Sequence, residues 1–580
     1  MAHTSSSAPS PLKKLRSAGL LALGGLRALR HVIRIESAEG TLGATLRRMR
    51  ETKGPAFARD WTFADLYEWA AQTHGAKPFV DYGDSVFSFY DMNERANRVA
   101  HSLRKAGVTE GAGVALMLSN HPRFYDAFFA VMKLGGYAVP VNTALVGEGL
   151  AYILDHSEVQ AVIGDHESME KIAAARSKAP RIKDIWINVA EAPAGTTLPI
   201  GMRSFDELDA GSTQNLGVRP DPKAPSLLLY TSGTTGLPKA VVSEYGQQRV
   251  KPIGLLANLL YDKTDKLYTC LPLFHANALL LTTMQALWIG IPVRLAKRFS
   301  ASRFWKEVAE SGVTQFNTIG GMIPIMLKTP PSQWERRHKV KRIVSAACPK
   351  DAWVPFEQRF GLEVWEAYGA VDGAGVTIFN AGSGPVGSIG KPPRTTKWRL
   401  ADDRGLAVPK GQPGELQVFV GNKAESKVPY WKNEKASNEK VADGWLHTGD
   451  LMVSDEKGYL YFVGRNTDSM RHRGENVSAF EVEKVVDAHP AVLESAAFGV
   501  PSPMGEQDIM VSVVLVEGQT LDPAEFLAYC RKNLPKYAVP SYLDVVREFN
   551  KTGTHRIIKS DLKKQGVTAQ TFRLDELVSQ

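Results

Sequence analysis

Between residues 114 and 164 short apolar runs alternate with amphipathic stretches. Residues 114–118 (Val-Ala-Leu-Met-Leu) read as a buried strand. Residues 122–134 read as a helix, with Pro122 near its start and Gly135-Gly136 at its end. A second strand is expected at 137–141, a helix at 147–156 and a third strand at 159–164. This alternation implies βαβ units and a parallel sheet. The polar stretch 211–226, with Pro220, Pro222 and Pro225, reads as a loop delivering the chain into a short strand at 227–229. A second apolar-rich stretch begins at Val241. Near the other end, a strand at 511–516 and a helix at 523–532 belong to a compact α+β unit of small-domain size.

The connection between 229 and 241 is polar and rich in hydroxyls: Tyr230-Thr231-Ser232-Gly233-Thr234-Thr235-Gly236-Leu237-Pro238-Lys239-Ala240. Two glycines let the backbone turn its N–H groups toward an anion, the hydroxyls add donors, and Lys239 adds a point charge suited to phosphate. A Gly-x-x-Gly alone is a surface turn, and the spacing is not that of a Walker A loop. The whole string, however, resembles the phosphate loop of the adenylate-forming superfamily, which includes acyl-CoA synthetases, peptide-synthetase adenylation domains and luciferases.

Later motifs follow in that family's order. Leu271-Pro272-Leu273-Phe274-His275 resembles the aromatic gate beside the substrate carboxylate, which assigns His275 to the acyl site. Ser345-Ala346-Ala347-Cys348-Pro349 resembles the adenine-side loop. Tyr368-Gly369-Ala370-Val371-Asp372 stands where the family has Tyr-Gly-x-Thr-Glu. The resemblance puts Tyr368 and Gly369 against adenine and makes Asp372 the Mg²⁺ ligand; a hard cation accepts either carboxylate, though aspartate is one methylene shorter. Val371 lacks the hydroxyl of the family threonine. Trp445-Leu446-His447-Thr448-Gly449-Asp450 matches Trp-x-x-Thr-Gly-Asp and implies that Asp450 binds the ribose hydroxyls. Arg465 is the expected nucleotide-side cation, and the hinge is expected at 465–468. Gly474-Glu475-Asn476 resembles the turn that swings in to complete the thioester-forming site. The closing motif departs furthest: without a gap Arg556 occupies the position of the family lysine, and Lys551 and Lys559 replace it only if the register shifts. Arginine keeps the charge but not the compact ammonium.

The resemblance implies an α/β fold: a large N-terminal domain of mixed and parallel sheets flanked by helices (50–464), joined by a hinge to a small mobile C-terminal α+β domain (465–580). It implies an ATP-dependent acyl-CoA synthetase using Mg²⁺ and coenzyme A. The catalytic set is Lys239, His275, Asp372 and Arg556. The nucleotide set is Thr231, Ser232, Gly233, Thr234, Thr235, Gly236, Lys239, Tyr368, Gly369, Asp450, Arg465 and Gly474. Residues 473–478 and 298–305 resemble the carnitine-CoA ligases, and Leu237-Pro238-Lys239-Ala240 with the basic arm resembles the fatty acid transport proteins with very-long-chain acyl-CoA synthetase activity, so the expected acid is fatty and long-chain. The apolar stretch 278–291 reads either as acyl-pocket wall or as core helix, and periodicity does not decide. Ile319-Gly320-Gly321-Met322 is a second pocket-wall candidate. Alternative readings are a ligase for a carnitine-like, aryl or steroid side-chain acid, a nucleotide- or acyl-binding protein with weakened catalysis, and a membrane uptake protein that traps lipid by ligation.

Composition changes this picture only at the edges. The 580 residues are 44% hydrophobic and 23% charged, ordinary for a globular enzyme. A net charge of +9 fits anionic substrates or an anionic membrane; without RNP motifs, zinc-finger spacing or long Lys/Arg blocks, nucleic acid is not expected. Cys270, Cys348 and Cys530 are scattered and point to buried thiols in a reducing compartment. Residues 1–37 form a basic arm, and 11–35 read as an amphipathic helix for peripheral membrane contact, too short in its uncharged run to span a bilayer. The expectation is a cytoplasmic enzyme, peripheral at the inner face of a membrane, with a homodimer as its further partner state.

Overall fold

The computed structural model describes residues 61–578 except 232–236, 248–249, 320–321, 374–376, 383, 394–395, 403, 422–427, 466–468, 504, 551–556 and 558. The basic arm lies outside the described residues.

The alternation near the start forms a seven-stranded sheet. Its strand order is Arg203–Ser204, Asp184–Asn188, Ala161–Asp165, Gly113–Met117, Tyr137–Pro140, Pro225–Thr231 and Lys239–Glu244. All neighbours run parallel except the last pair, an antiparallel hairpin that carries the phosphate-loop candidate at its turn. Gly113–Met117 and Ala161–Asp165 are buried throughout, as a sheet covered on both faces requires. The expected helices appear as Pro122–Lys133 and Gly147–His156. Two earlier helices, Phe63–His74 and Phe89–Lys105, open with reciprocal capping boxes, Thr62 with Asp65 and Ser88 with Asp91.

An eight-stranded sheet follows, ordered Thr377–Asn380, Glu363–Gly369, Arg342–Ala346, Gln315–Ile319, Leu267–Thr269, Val293–Leu295, Pro78–Tyr82 and Ser85–Ser88. Its six central strands are parallel. Side chains from both sheets, such as Val114 and Leu116 of one and Phe79 and Val293 of the other, share one core with the helices between them. Buried Asn120 ties the halves together: its amide nitrogen donates to the carbonyls of Leu271 (3.0 Å) and Ala296 (2.9 Å), and its oxygen accepts from Leu273 N–H (2.9 Å). With that amide satisfied on both sides, the loop before His275 has a fixed seat.

The ambiguous stretch 278–291 is both things at once. Asn277–Thr283 is π-helical and Met284–Ile289 is α-helical and buried. The latter packs on Val250–Leu260 at Gly254, where a Cβ would lie 2.3 Å from the Trp288 ring.

A third, five-stranded sheet combines Trp398–Ala401, Gly414–Phe419, Val441–Ala442, Trp445–Ser454 and Leu460–Arg465 around its own apolar cluster. After Arg465 the next strands form a separate unit. The hairpin Ser469–His472/Glu475–Ser478 leads into helix Ala479–Asp487, and a four-stranded sheet of Val492–Pro501, Gln507–Leu515, Tyr542–Val545 and Phe572–Arg573 packs with helix Pro523–Asn533. The three cysteines are free and buried. Among the described residues no helix is long and apolar enough to cross a membrane.

Candidate functional site

A cavity of about 3060 Å³ opens where the parallel strands of both large sheets end, the usual ligand position in such sheets. Tyr368 and Asp450 stand together at its wall. The Tyr368 hydroxyl donates to Asp450 Oδ2 at 2.6 Å, and Asp450, 2% exposed, is anchored by its own N–H to Thr448 Oγ1 (3.1 Å). Glu415 fixes the preceding turn by accepting from Gly449 N–H at 2.9 Å. Ring and carboxylate therefore form one pre-arranged pair, brought together from different sheets.

Beside them runs the turn at 345–349, which lines the same cavity. Ala347 has φ +69°, an uncommon conformation for a residue with a Cβ. Its N–H and that of Cys348 donate to the two carboxylate oxygens of Glu366, at 2.5 and 3.1 Å. Burial pushes Glu366 up to about 8, while those N–H groups and Ser345 pull the other way.

At the hairpin that carries the phosphate-loop candidate, Thr231 pairs with Lys239, and its hydroxyl donates to the Lys239 carbonyl at 3.3 Å. Ser232, Gly233, Thr234, Thr235 and Gly236 lie outside the described residues. The Lys239 ammonium sits 5.7 Å from the Tyr430 ring centroid. The Tyr430 hydroxyl donates to Asp372 Oδ2 at 2.7 Å, and Lys440 Nζ lies 2.8 Å from the same oxygen. Asp372 is thus an ion-paired, half-buried carboxylate, linked through Tyr430 to the hairpin that carries Lys239. A single hard oxygen donor of this kind suits Mg²⁺, which keeps waters and substrate phosphates as its other ligands.

The π-helix turns Asn277, Leu280 and Leu281 toward the cavity, which Ile253 and Leu256 also line. π-Helical turns recur at functional sites because they re-aim side chains. Ile319 and Met322 also line the cavity, while Gly320 and Gly321 lie outside the described residues. His275 marks the boundary of this compartment. Its Nε2 lies 3.0 Å from Oε1 of Glu475, at the tip of the small unit's hairpin. The adjoining Gly474 has φ +83°, and a Cβ there would come within 2.3 Å of Ile319, so glycine lets the hairpin enter the cavity. Gly474 N–H donates to Glu506 at 2.8 Å.

The remaining candidates divide. Arg465 is placed by its backbone, which pairs with Asp450 in the sheet. Arg556 and Lys551 lie outside the described residues. Lys559 is held within the small unit by Glu483 at 2.6 Å. Three residues escaped the sequence reading: Glu366, Tyr430 and Lys440. Glu366 lies two positions before Tyr368, and strand periodicity alone places them on one face. The aromatic pair Tyr430-Trp431 was the available signal for the segment that buttresses Asp372.

Comparison with known proteins identifies the family. The family model described as AMP-binding enzyme matches residues 67–419, and that for the AMP-binding enzyme C-terminal domain matches 481–556. The crotonobetaine/carnitine–CoA ligase of Salmonella paratyphi A is 30% identical over 488 residues, covering 82% of this chain and 93% of that protein. In fold the chain is similar to an o-succinylbenzoate CoA synthetase from Bacillus subtilis (TM-score 0.72, 24% identity, 86% of this chain and 98% of that one). It is also similar to a Mycobacterium tuberculosis fatty acyl CoA synthetase (TM-score 0.61, 23% identity, 87% and 98%). The chain belongs to the AMP-binding enzyme family, within the adenylate-forming superfamily.

Proposed function

We propose that this protein activates an apolar, fatty carboxylic acid as its CoA thioester. The coarser activity follows from the family: it is an AMP-forming acid–thiol ligase that uses ATP, Mg²⁺ and coenzyme A. The observation carrying the finer reading is the cavity itself. One volume joins the Tyr368–Asp450 pair, the apolar wall of Leu280, Leu281, Ile253 and Leu256, and the His275–Glu475 contact. Apolar walls with few convergent polar groups suit an apolar acid.

In this reading the acid lies along the π-helix with its carboxylate near His275. Tyr368 and Asp450 orient the nucleoside, and Lys239 with the hydroxyl-rich loop takes the β- and γ-phosphates. When bound at Asp372, Mg²⁺ supplies charge neutralisation of the phosphate oxygens. The carboxylate oxygen attacks the α-phosphorus, the bond to the bridging oxygen breaks, and pyrophosphate leaves. The protein's contribution is positioning and charge stabilisation. In the second half-reaction the CoA thiol gives up its proton to solvent, its sulfur adds to the acyl carbon, and the bond from that carbon to the phosphate oxygen breaks to release AMP. The Gly474-Glu475 hairpin stands where it can complete the thiol's site, and a hinge at 465–468 would let the small domain, 465–580, alternate between the two steps. Such domain steps often limit turnover.

A carnitine-like acid is the second reading, favoured by the 30% identity to the crotonobetaine/carnitine–CoA ligases. AMP release measured with saturated acids of graded length, aryl acids and carnitine-like acids, with and without CoA, separates them. Preference for long saturated acids supports the fatty reading, and preference for carnitine-like or short aryl acids overturns it. Residues 11–35 would hold such an enzyme at an anionic membrane surface. Their roughly six cations contribute about 1 kcal/mol each near anionic lipid. Deleting 1–37 should therefore abolish vesicle sedimentation and leave ligation of soluble acids intact, whereas retained sedimentation refutes the anchor.

A further inference from the structure

The strand Glu363–Gly369 lines the cavity with Glu366, Ala367, Tyr368 and Gly369, and Glu366 lies one pleat before Tyr368 on the same face. Tyr368 is fixed from one side by Asp450. Glu366 is 2% exposed, and its carboxylate faces the turn at 345–349. Each carboxylate oxygen accepts one backbone N–H, from Ala347 and from Cys348. Both N–H groups of the turn thus point into the protein, onto one buried side chain. They point inward because Ala347 holds a left-handed conformation, φ +69°, which a residue with a Cβ adopts only when its surroundings impose it. The group that both N–H bonds reach is the Glu366 carboxylate. The outer side of the same turn, with Ala346, Ala347 and Cys348, lines the cavity beside Tyr368 and Gly369.

We propose that Glu366 is a positioning residue for the nucleotide subsite. Its carboxylate clamps the 346–348 turn in its left-handed form, so that the turn and Tyr368 make one rigid wall for the purine. The proposal rests on the ligase reading above, which places the nucleotide at Tyr368 and Asp450. Glu366 itself touches no reacting atom. Its loss should raise the dissociation constant for the nucleotide while leaving turnover at saturating ATP nearly unchanged.

The test is AMP binding to the full chain by calorimetry, together with KM for ATP and kcat. Glu366→Ala should weaken AMP at least tenfold and raise KM for ATP in parallel, with kcat within about twofold. Glu366→Gln keeps one acceptor oxygen, so its affinity should fall between those of the parent and the alanine variant. Glu366→Asp keeps the carboxyl group but withdraws it by one methylene, and should weaken AMP severalfold; it serves if the alanine variant does not fold. Parent-like AMP affinity in folded Glu366→Ala or Glu366→Asp overturns the proposal, as does a fall in kcat with unchanged KM. Asp450→Ala separates this from the underlying reading. If that variant also binds AMP like the parent, the nucleotide lies elsewhere and the ligase site is misplaced. If Asp450→Ala loses AMP while the Glu366 variants do not, only the role of Glu366 fails.

Discussion

The Nε2 atom of His275 lies 3.0 Å from a carboxylate oxygen of Glu475, across 200 positions of sequence. One residue belongs to the loop after a central strand of the large domain, the other to the tip of the small domain's hairpin. Both are partly exposed, at 42% and 19% of the side chain, so the pair contributes modestly to stability, about 1 kcal/mol or less. Its value is geometric. If the hairpin enters to serve the thiol, Glu475→Ala should slow acyl transfer from pre-made acyl-adenylate to CoA by roughly tenfold, about 1.4 kcal/mol in the barrier. Acyl-adenylate formation from acid and ATP should change little. Equal slowing of both half-reactions in stopped-flow assays would refute that division.

Asp372 carries an internal cation. Lys440 Nζ and the Tyr430 hydroxyl both address its Oδ2. A metal ion binding this carboxylate must compete with the ammonium. Lys440→Met should therefore lower the Mg²⁺ concentration needed for half-maximal ATP binding severalfold, and Asp372→Ala should raise it. Mn²⁺ binding followed by electron paramagnetic resonance in the presence of a non-hydrolysable ATP analogue gives the same quantity without turnover. Parent-like titration of both variants would make Asp372 a structural ion-pair partner only.

Two glutamates, the buried Glu366 and the half-buried Glu481, couple stability to pH. Burial pushes Glu366 up to about 8 and Glu481 up to about 7, against 4.5 for an exposed glutamate. An acid with a higher pKa in the folded than in the unfolded state binds more protons when folded across that interval. Its stabilisation is complete below about 4.5 and is lost as pH rises through the folded values, about 7 to about 8. The apparent unfolding temperature should fall by a few degrees between about pH 5 and about pH 8.5. Glu366→Gln, which cannot titrate, should flatten that slope. A Glu366→Gln profile superimposable on the parent's would exclude Glu366 as the titrating group.

Lys559 already has a partner, Glu483 at 2.6 Å within the small domain. Its alanine variant should lose about 1 kcal/mol of stability or less and keep its adenylation rate. Arg556→Ala should instead slow acyl-adenylate formation about 100-fold, the usual scale for a lost transition-state charge contact, and spare the second half-reaction. Arg556→Lys should be active. Separate half-reaction assays of the 551, 556 and 559 alanine variants decide the register, and a first-step loss confined to Lys559→Ala would reverse the assignment.

Much of the fold is legible locally. The helix at 147–156 is found with those same bounds, and Pro122 opens the helix Pro122–Lys133, because proline, glycine and apolar period act within one or two turns of chain. Strand identity is nearly as plain, with Gly113–Met117 and Ala161–Asp165 shifted by a residue or two from the expected ends. Motifs such as Trp445–Asp450 and Tyr368–Asp372 survive in the sequence because each is a contiguous piece of backbone. What only the tertiary structure decided is which groups meet. The strand Pro78–Tyr82 pairs with Val293–Leu295, and no local period encodes a partner that far away. Residues 278–291 are almost wholly apolar, yet Leu280 and Leu281 line the cavity while Ala278, Leu279 and the residues of Met284–Ile289 are buried, because packing around the segment, not its composition, decides which side chains meet the cavity. Glu366 reads as a charged residue on a strand until the turn at 345–349 folds over it. Lys440 reads as a surface helix end until Asp372 arrives beside it. Charge placement is a long-range property of the fold: a side chain's partner is set by sheet order and domain contact, and those emerge only when the separately legible elements pack against one another.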